Sequence, residues 1–201
     1  GTVHPLQQIN LVPQVGGKVV YVSPALVNDE TFAKGDLLLR IDPVDYQLAV
    51  VLAQAQVKNS QSNLKLLREE SAAARQEWFQ INGRNSTPPP LVVKQPQLDA
   101  QTAKLEADQA NLRSARLQLE RTRLTAPFEG LVSMKTVDIG QFVSPGQVLA
   151  TLFSTDVAEI IVPLEDDDLQ WFEVPGFTSN EDTGPPAGVH ARIAGTAMSW
   201  Q

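Results

Sequence analysis

Gly17-Lys18-Val19-Val20, followed by Phe32-Ala33-Lys34-Gly35-Asp36-Leu37-Leu38, returns later in the chain as Gly130-Leu131-Val132-Ser133, followed by Val143-Ser144-Pro145-Gly146-Gln147-Val148-Leu149. Each copy reads as a short β unit: a glycine at a tight bend, alternating apolar residues, then a Lys-Gly or Pro-Gly step into another strand. Gly17, Gly35, Gly130, Gly140 and Gly146 are the turn residues of this reading. Neither copy can bury an apolar face alone. The pattern therefore predicts that residues 11–43 and 124–154 pack on each other as one small sandwich or flattened barrel.

Residues 44–123, which separate the copies, read as helix. Asp42 is placed to cap the first helix and Pro43 suits its first turn. From Val44 to Asn82 there is no Pro or Gly. Ala49, Ala53, Val57, Ser60, Leu64, Leu67, Ser71, Ala74 and Trp78 recur at three- and four-residue steps, which predicts one narrow seam. Gly83-Arg84-Asn85-Ser86-Thr87-Pro88-Pro89-Pro90 breaks the helix. A second helix is expected from Pro96 to Arg123. Its seam is read as Ala100, Ala103, Ala107, Ala110, Ser114, Leu117 and Leu124, with Leu98, Leu105, Leu112 and Leu119 on an adjoining row. Small residues on both seams predict an antiparallel coiled-coil hairpin. At about 1.5 Å per residue the helices would measure roughly 58 and 42 Å, so either the first bends or an extended Leu91–Lys94 covers the difference.

The segment between Asn82 and Lys94 offers little core, and a polar loop at the end of a long arm suits partner contact. Trp78, Asn82, Arg84, Leu91, Val92 and Lys94 are the candidate contact residues. Trp78 and Phe79 serve equally well as the last core layer.

Charge and composition narrow the function classes. The chain has 201 residues, 42% of them hydrophobic, and a net charge of −7, which describes a folded protein with no basic surface for nucleic acid. There is no cysteine, so disulfides and thiolate chemistry are absent. Two isolated histidines and no Gly-x-Ser-x-Gly, His-Glu-x-x-His or phosphate loop argue against an enzyme. His4, His190, Met134 and Met198 have no ligand spacing, so no metal is expected. Glu165-Asp166-Asp167-Asp168 precedes Leu169-Gln170-Trp171-Phe172 and reads as the acidic start of a short helix, not as a cation site. Residues 158–164 and 189–193 read as strands, and 175–188 as a mobile loop. The chain opens mid-strand at Gly1-Thr2-Val3, so a targeting segment is expected ahead of it, and too few strands follow residue 155 to close a further domain.

Several stretches together resemble the membrane fusion protein family, the HlyD-like periplasmic adaptors of bacterial efflux and secretion pumps. They are Pro13-Gln14-Val15-Gly16-Gly17-Lys18-Val19, Phe32 to Tyr46, Leu119 to Val132 (with Leu124-Thr125-Ala126-Pro127-Phe128-Glu129-Gly130) and Gly140 to Gly146. Pro88-Pro89-Pro90-Leu91-Val92 before Pro96-Gln97-Leu98 looks most like adaptors of resistance-nodulation-division (RND) pumps. The resemblance implies a mixed α and β, multidomain chain: a split lipoyl-like β-sandwich (11–43 and 124–154), an inserted α-helical coiled-coil hairpin (44–123), and part of a β-barrel domain (1–10 and 155–201). It implies a periplasmic adaptor that joins an inner-membrane pump to an outer-membrane channel. Such an adaptor self-associates into a ring and is attached to the inner membrane through an N-terminal segment not present in this chain.

Two departures stand out. Asn28-Asp29-Glu30 stands where the second copy has Gly140, so Asn or Asp must supply any left-handed residue there. Many adaptors carry an Arg…Leu…Ser signature at the tip. Arg84 and Leu91 are present here, but Lys94 or Gln95 stands in the place of the serine, which leaves the mode of channel contact open. An adaptor of an ABC-type secretion or metal-export pump is the alternative reading. A biotin- or lipoyl-type carrier is a remote one, because Lys135 of Met134-Lys135 lies inside the second copy and not on the connection between copies. No cofactor is expected.

Overall fold

The computed structural model describes residues 2–161, 188–193 and 196–200. It divides into two compact units, Pro5–Val157 and Gly1–His4 with Ala158–Gln201. Of the strands in chain order, β1 (Thr2–Pro5) neighbours β10 (Ala158–Ile161) in the smaller unit, where β11 (Val189–Ile193) and β12 (Thr196–Trp200) form an antiparallel pair. The expected helix at 165–172, its acidic run and residues 175–187 of the expected loop lie outside the described residues.

The larger unit holds β2 (Gln8–Leu11), β3 (Gly17–Val22), β4 (Thr31–Phe32), β5 (Leu37–Ile41), α1 (Val44–Asn82), α2 (Gln95–Glu120), β6 (Arg123–Thr125), β7 (Gly130–Lys135), β8 (Phe142–Val143) and β9 (Ala150–Ser154). Its strands form two four-stranded sheets, ordered β2-β9-β7-β4 and β6-β5-β3-β8. The two copies exchange strands. Thr31 and Phe32 of the first copy pair with Leu131 and Gly130 of the second, while Gly17 and Lys18 of the first pair with Val143 and Phe142 of the second. Gly17 and Gly130, equivalent in the repeat, thus each face the short strand of the other copy. Val19, Leu38, Ile41 and Val143 from one sheet and Phe32, Val132 and Leu152 from the other are buried in one shared cluster. Each contributes about 1.5–3 kcal/mol on burial, and none could do so within its own copy. Residues 8–11, which the sequence divides between two domains, form one strand that pairs with β9.

The repeat is also legible in the backbone. Asp29 takes φ +66°, in the left-handed region, where the second copy uses Gly140 at +90°. Asp29 N–H donates to Val132 O at 2.8 Å and Gly140 N–H to Val19 O at 2.8 Å, so the two turns close on equivalent valines. Gly130 differs from its expectation. It is not at a bend but opens β7, and a Cβ there would lie 1.9 Å from the Phe153 carbonyl oxygen. Close approach of β9, and not turn geometry, requires glycine.

The helices leave the sandwich between β5 and β6, which are themselves paired through Arg40 and Arg123. Asp42 Oδ1 accepts from Val44 N–H at 3.1 Å, and Tyr46 Oη donates to Gly16 O at 2.7 Å, anchoring the first turn of α1 to the sheet. Gly83, at φ +78°, ends α1. The seam read on α1 is correct: all nine residues from Ala49 to Trp78 are buried or half-buried. The seam read on α2 is not. Ala100, Ala103, Ala107, Ala110 and Ser114 are exposed, and Leu98, Leu105, Leu112 and Leu119 are the half-buried positions facing the pair's interior. Alanine marks good helix formation, not burial, and the larger apolar surface of leucine decides which row packs.

Candidate functional site

The contacts between α1 and α2 run in opposite senses, with Ser60 beside Asp108 and Glu70 beside Lys94. At mid-seam, Ser60 (1% exposed) donates its hydroxyl to Asp108 (7% exposed). Gln101 Nε2 donates to Ser60 O at 3.2 Å, and Lys104 Nζ sits 3.6 Å from the carboxylate. The Ser60 hydroxyl holds the Asp108 carboxyl below its usual range. Burial opposes this, while Lys104 and Gln56 add to it. The depressed pKa means that this support is present above the ordinary aspartate value of about 3.9 and is lost as pH falls through the folded value. A carboxylate in the seam is tolerated because Ser60, Lys104 and Gln56 are at hand to satisfy it.

α1 has 39 residues and α2 has 26, and an extended Leu91–Lys94 does not cover the difference. The connecting segment folds back along the end of α1. Leu91–Lys94 is not extended but forms hydrogen-bonded turns, with Val93 N–H donating to Pro89 O at 3.3 Å and Gln95 N–H to Pro90 O at 2.9 Å. Val93 is 5% exposed, and Ser71 Oγ donates to its carbonyl at 2.6 Å. Val93 and Ser86 therefore take the place that α2 would otherwise fill, so the segment contributes to the fold where the sequence suggests that it does not.

The candidate contact residues separate into two groups. At the far end, Trp78 Nε1–H donates to Ser86 Oγ at 3.0 Å, Ser86 Oγ to Gly83 O at 2.7 Å, and Asn82 Nδ2 to Trp78 O at 3.2 Å. These bonds tie Trp78, half-buried, into the cap of the helix. Arg84 is exposed there, and Leu91 is 73% exposed. Val92 is half-buried. Lys94, in contrast, pairs with Glu70 at 2.7 Å, three turns below Asn82 or about 18 Å along the helix, and takes φ +55°. It is a brace between helices, away from the end. Ile81, exposed in the last turn of α1, is a residue the sequence reading passes over. An isoleucine off the seam at a helix end is the signal that would have found it.

The turn glycines fall into two classes as well. Gly35, Gly140 and Gly146 have positive φ and open space around them, whereas Gly17 and Gly130 are hemmed in by Ile41 and Phe153. Lys135 stands in β7 with Nζ 2.6 Å from Asp138 Oδ1, a strand lysine held by a neighbouring carboxylate. No described helix is long and apolar enough to cross a membrane. No group of three or more His, Asp or Glu suited to a metal ion occurs among the described residues.

A family model described as RND MFP, barrel-sandwich hybrid domain, matches residues 7–155. The chain is 29% identical over 178 residues to multidrug resistance protein MdtA of Cronobacter turicensis, covering 84% of this chain and 40% of that protein. It is 31% identical over 180 residues to the MdtA of Xenorhabdus bovienii, with the same shares. The chain thus spans about 40% of the length of these curated relatives. Among solved structures, a putative efflux transporter of Bacteroides eggerthii aligns with TM-score 0.59 at 20% identity, covering 78% of this chain and 42% of that one. MacA of Actinobacillus actinomycetemcomitans aligns with TM-score 0.58 at 19% identity, covering 85% and 56%. At these identities the structural likeness is one of fold. Built as two strand-exchanged copies around a helix pair, and matched by that model over most of its length, this chain belongs to the RND membrane fusion protein family.

Proposed function

We propose that the protein is the periplasmic adaptor of a tripartite efflux pump, linking an inner-membrane RND transporter to an outer-membrane channel. In this reading the β-sandwich is the lipoyl-like module that stacks against neighbouring copies in a ring. The α-helical hairpin is a coiled-coil arm whose end meets the channel, and the smaller unit belongs to a β-barrel domain. The carrying observation is that a helix pair leaves the sandwich between two adjacent strands, β5 and β6. The arm can therefore carry contact without disturbing the core that holds it. The naming of the MdtA relatives as multidrug resistance proteins supports the same reading.

Arg84 and Leu91, exposed and free of any described hydrogen bond or ion pair from their side chains, are the residues this reading assigns to channel contact. Arg84→Glu with Leu91→Ser, made in the full-length protein, is expected to lower drug resistance to that of cells lacking the adaptor, with thermal stability unchanged. Lys94→Glu is the control, because it breaks a brace to Glu70 and touches stability first. Full resistance from the double variant would remove this end of the arm as the docking site.

A further inference from the structure

The root of the helix pair carries a concentration of positive charge that the family assignment does not account for. Arg40 on β5 and Arg123 on β6 stand directly opposite each other in the antiparallel register. Like charges in that position repel and destabilise the pair. Arg116, on the last part of α2, lines the same recess, a pocket of about 330 Å³ completed by Pro43, Gln47, Leu119, Glu120 and Thr122. None of the three guanidiniums has a carboxylate within 4.0 Å among the described residues, where all the ion pairs use lysine. Glu120 lies in the lining and pairs with none of them.

The helix ends do not explain this cluster. The last turn of α2 contains no basic residue, so Arg116 is not there to complement the helix dipole. The N-terminal end of α1 and the C-terminal end of α2 both reach the recess, and their fields oppose each other, so the guanidinium charge sets the sign. The Arg40 guanidinium lies 5.9 Å from the centre of the Tyr21 ring, at the outer limit of a cation–π contact. Three arginines line the recess with one carboxylate, Glu120, that pairs with none of them, which leaves an excess of positive charge suited to a planar or tetrahedral oxyanion.

We infer that the recess formed by Arg40, Arg116 and Arg123 is a binding site for a phosphate group, with Gln47 supplying a further neutral donor. The fork of each guanidinium suits bidentate contact with phosphate oxygens, and three such cations favour a dianion over a single carboxylate. The group is presented either by free phosphate or by a lipid headgroup. This site lies at the opposite end of the arm from the channel contact and does not depend on it.

The test uses the 201-residue chain. Thermal unfolding is followed in sodium phosphate and in sodium chloride at equal ionic strength, for the natural sequence and for Arg123→Gln and Arg116→Gln. The natural sequence should gain about 3 °C or more in phosphate over chloride, and both variants should lose that gain. In chloride, Arg123→Gln should match or exceed the natural Tm, because it removes a repelling pair. Sedimentation with phosphatidic acid vesicles, whose headgroup is a phosphomonoester, against phosphatidylcholine separates the two sources. Arginine-dependent sedimentation without a response to free phosphate assigns a lipid headgroup, and the converse assigns a soluble anion. A phosphate gain that persists in both variants, or neither a gain nor arginine-dependent sedimentation, overturns the site.

Discussion

Gly130→Ala should unfold the sandwich at a far lower denaturant concentration than any other single-methyl change in the chain. A Cβ on Gly130 would stand 1.9 Å from Phe153 O, 2.9 Å from Phe153 C and 3.2 Å from Phe32 Cζ. The first two atoms are backbone of the partner strand β9, whose position is fixed by four further pairings to β7 and four to β2. The third belongs to the short strand donated by the other copy. Neither side can yield without moving a strand of the shared core. We expect a loss of at least about 3 kcal/mol, in the upper range for a point change. Gly140→Ala is the matched control. Nothing lies within 4 Å of its Cβ site, and only its φ of +90° resists the change, at about 1 kcal/mol. Equal midpoints in urea for the two variants would mean that β7 and β9 are not packed as described.

Leu64→Lys should have the largest effect on the helix pair. Leu64 is buried on α1, one turn beyond Ser60, between Val57 and Leu67. Deleting its burial costs about 2–4 kcal/mol, and the ammonium adds a desolvation cost because the seam carboxylate Asp108 is already engaged by Ser60 and Lys104. Asp108 shows what a charge needs there: a serine hydroxyl, a lysine and a glutamine within reach. An isolated helix pair held by one narrow seam has no second core to fall back on. The helical circular dichroism signal should melt at least about 15 °C below that of the natural chain, while the β signal persists. Coincident loss of both signals would show that sandwich and helices unfold as one.

The sequence made the local features plain and the non-local ones obscure. Pro43 and Gly83 punctuate α1, and its observed bounds, Val44–Asn82, follow from them. The repeat was legible because glycine and turn spacing are short-range signals, and Asp29 in the left-handed region is what that spacing demands where the glycine is missing. The facing row of α2 was misread for a physical reason. Its leucine row is interrupted by Gln101, Asp108 and Gln109, which count as solvent-facing until Ser60 of the other helix is known to satisfy the first two. The same holds at the far end. Nothing in Leu91-Val92-Val93-Lys94 tells that Val93 is buried under Ser71 while Leu91 faces solvent, because the decision rests on a hydrogen bond spanning twenty-two residues. Gly130 reads as a bend in the sequence and is required instead by a close approach, since the two leave the same letter.

Two separated copies make one self-sufficient core, and the helices are an arm set upon it. Ile41 N–H donates to Thr122 O at 2.8 Å, so the strands on either side of the arm already meet. Residues 42–121 can therefore be replaced by Asn-Gly, a pair suited to a two-residue hairpin. Equilibrium unfolding of that shortened chain is the most direct measurement. The shortened chain should be a soluble β protein that unfolds in one cooperative transition. A chain that is unfolded, or that melts without cooperativity, would contradict this and make the helices part of the core.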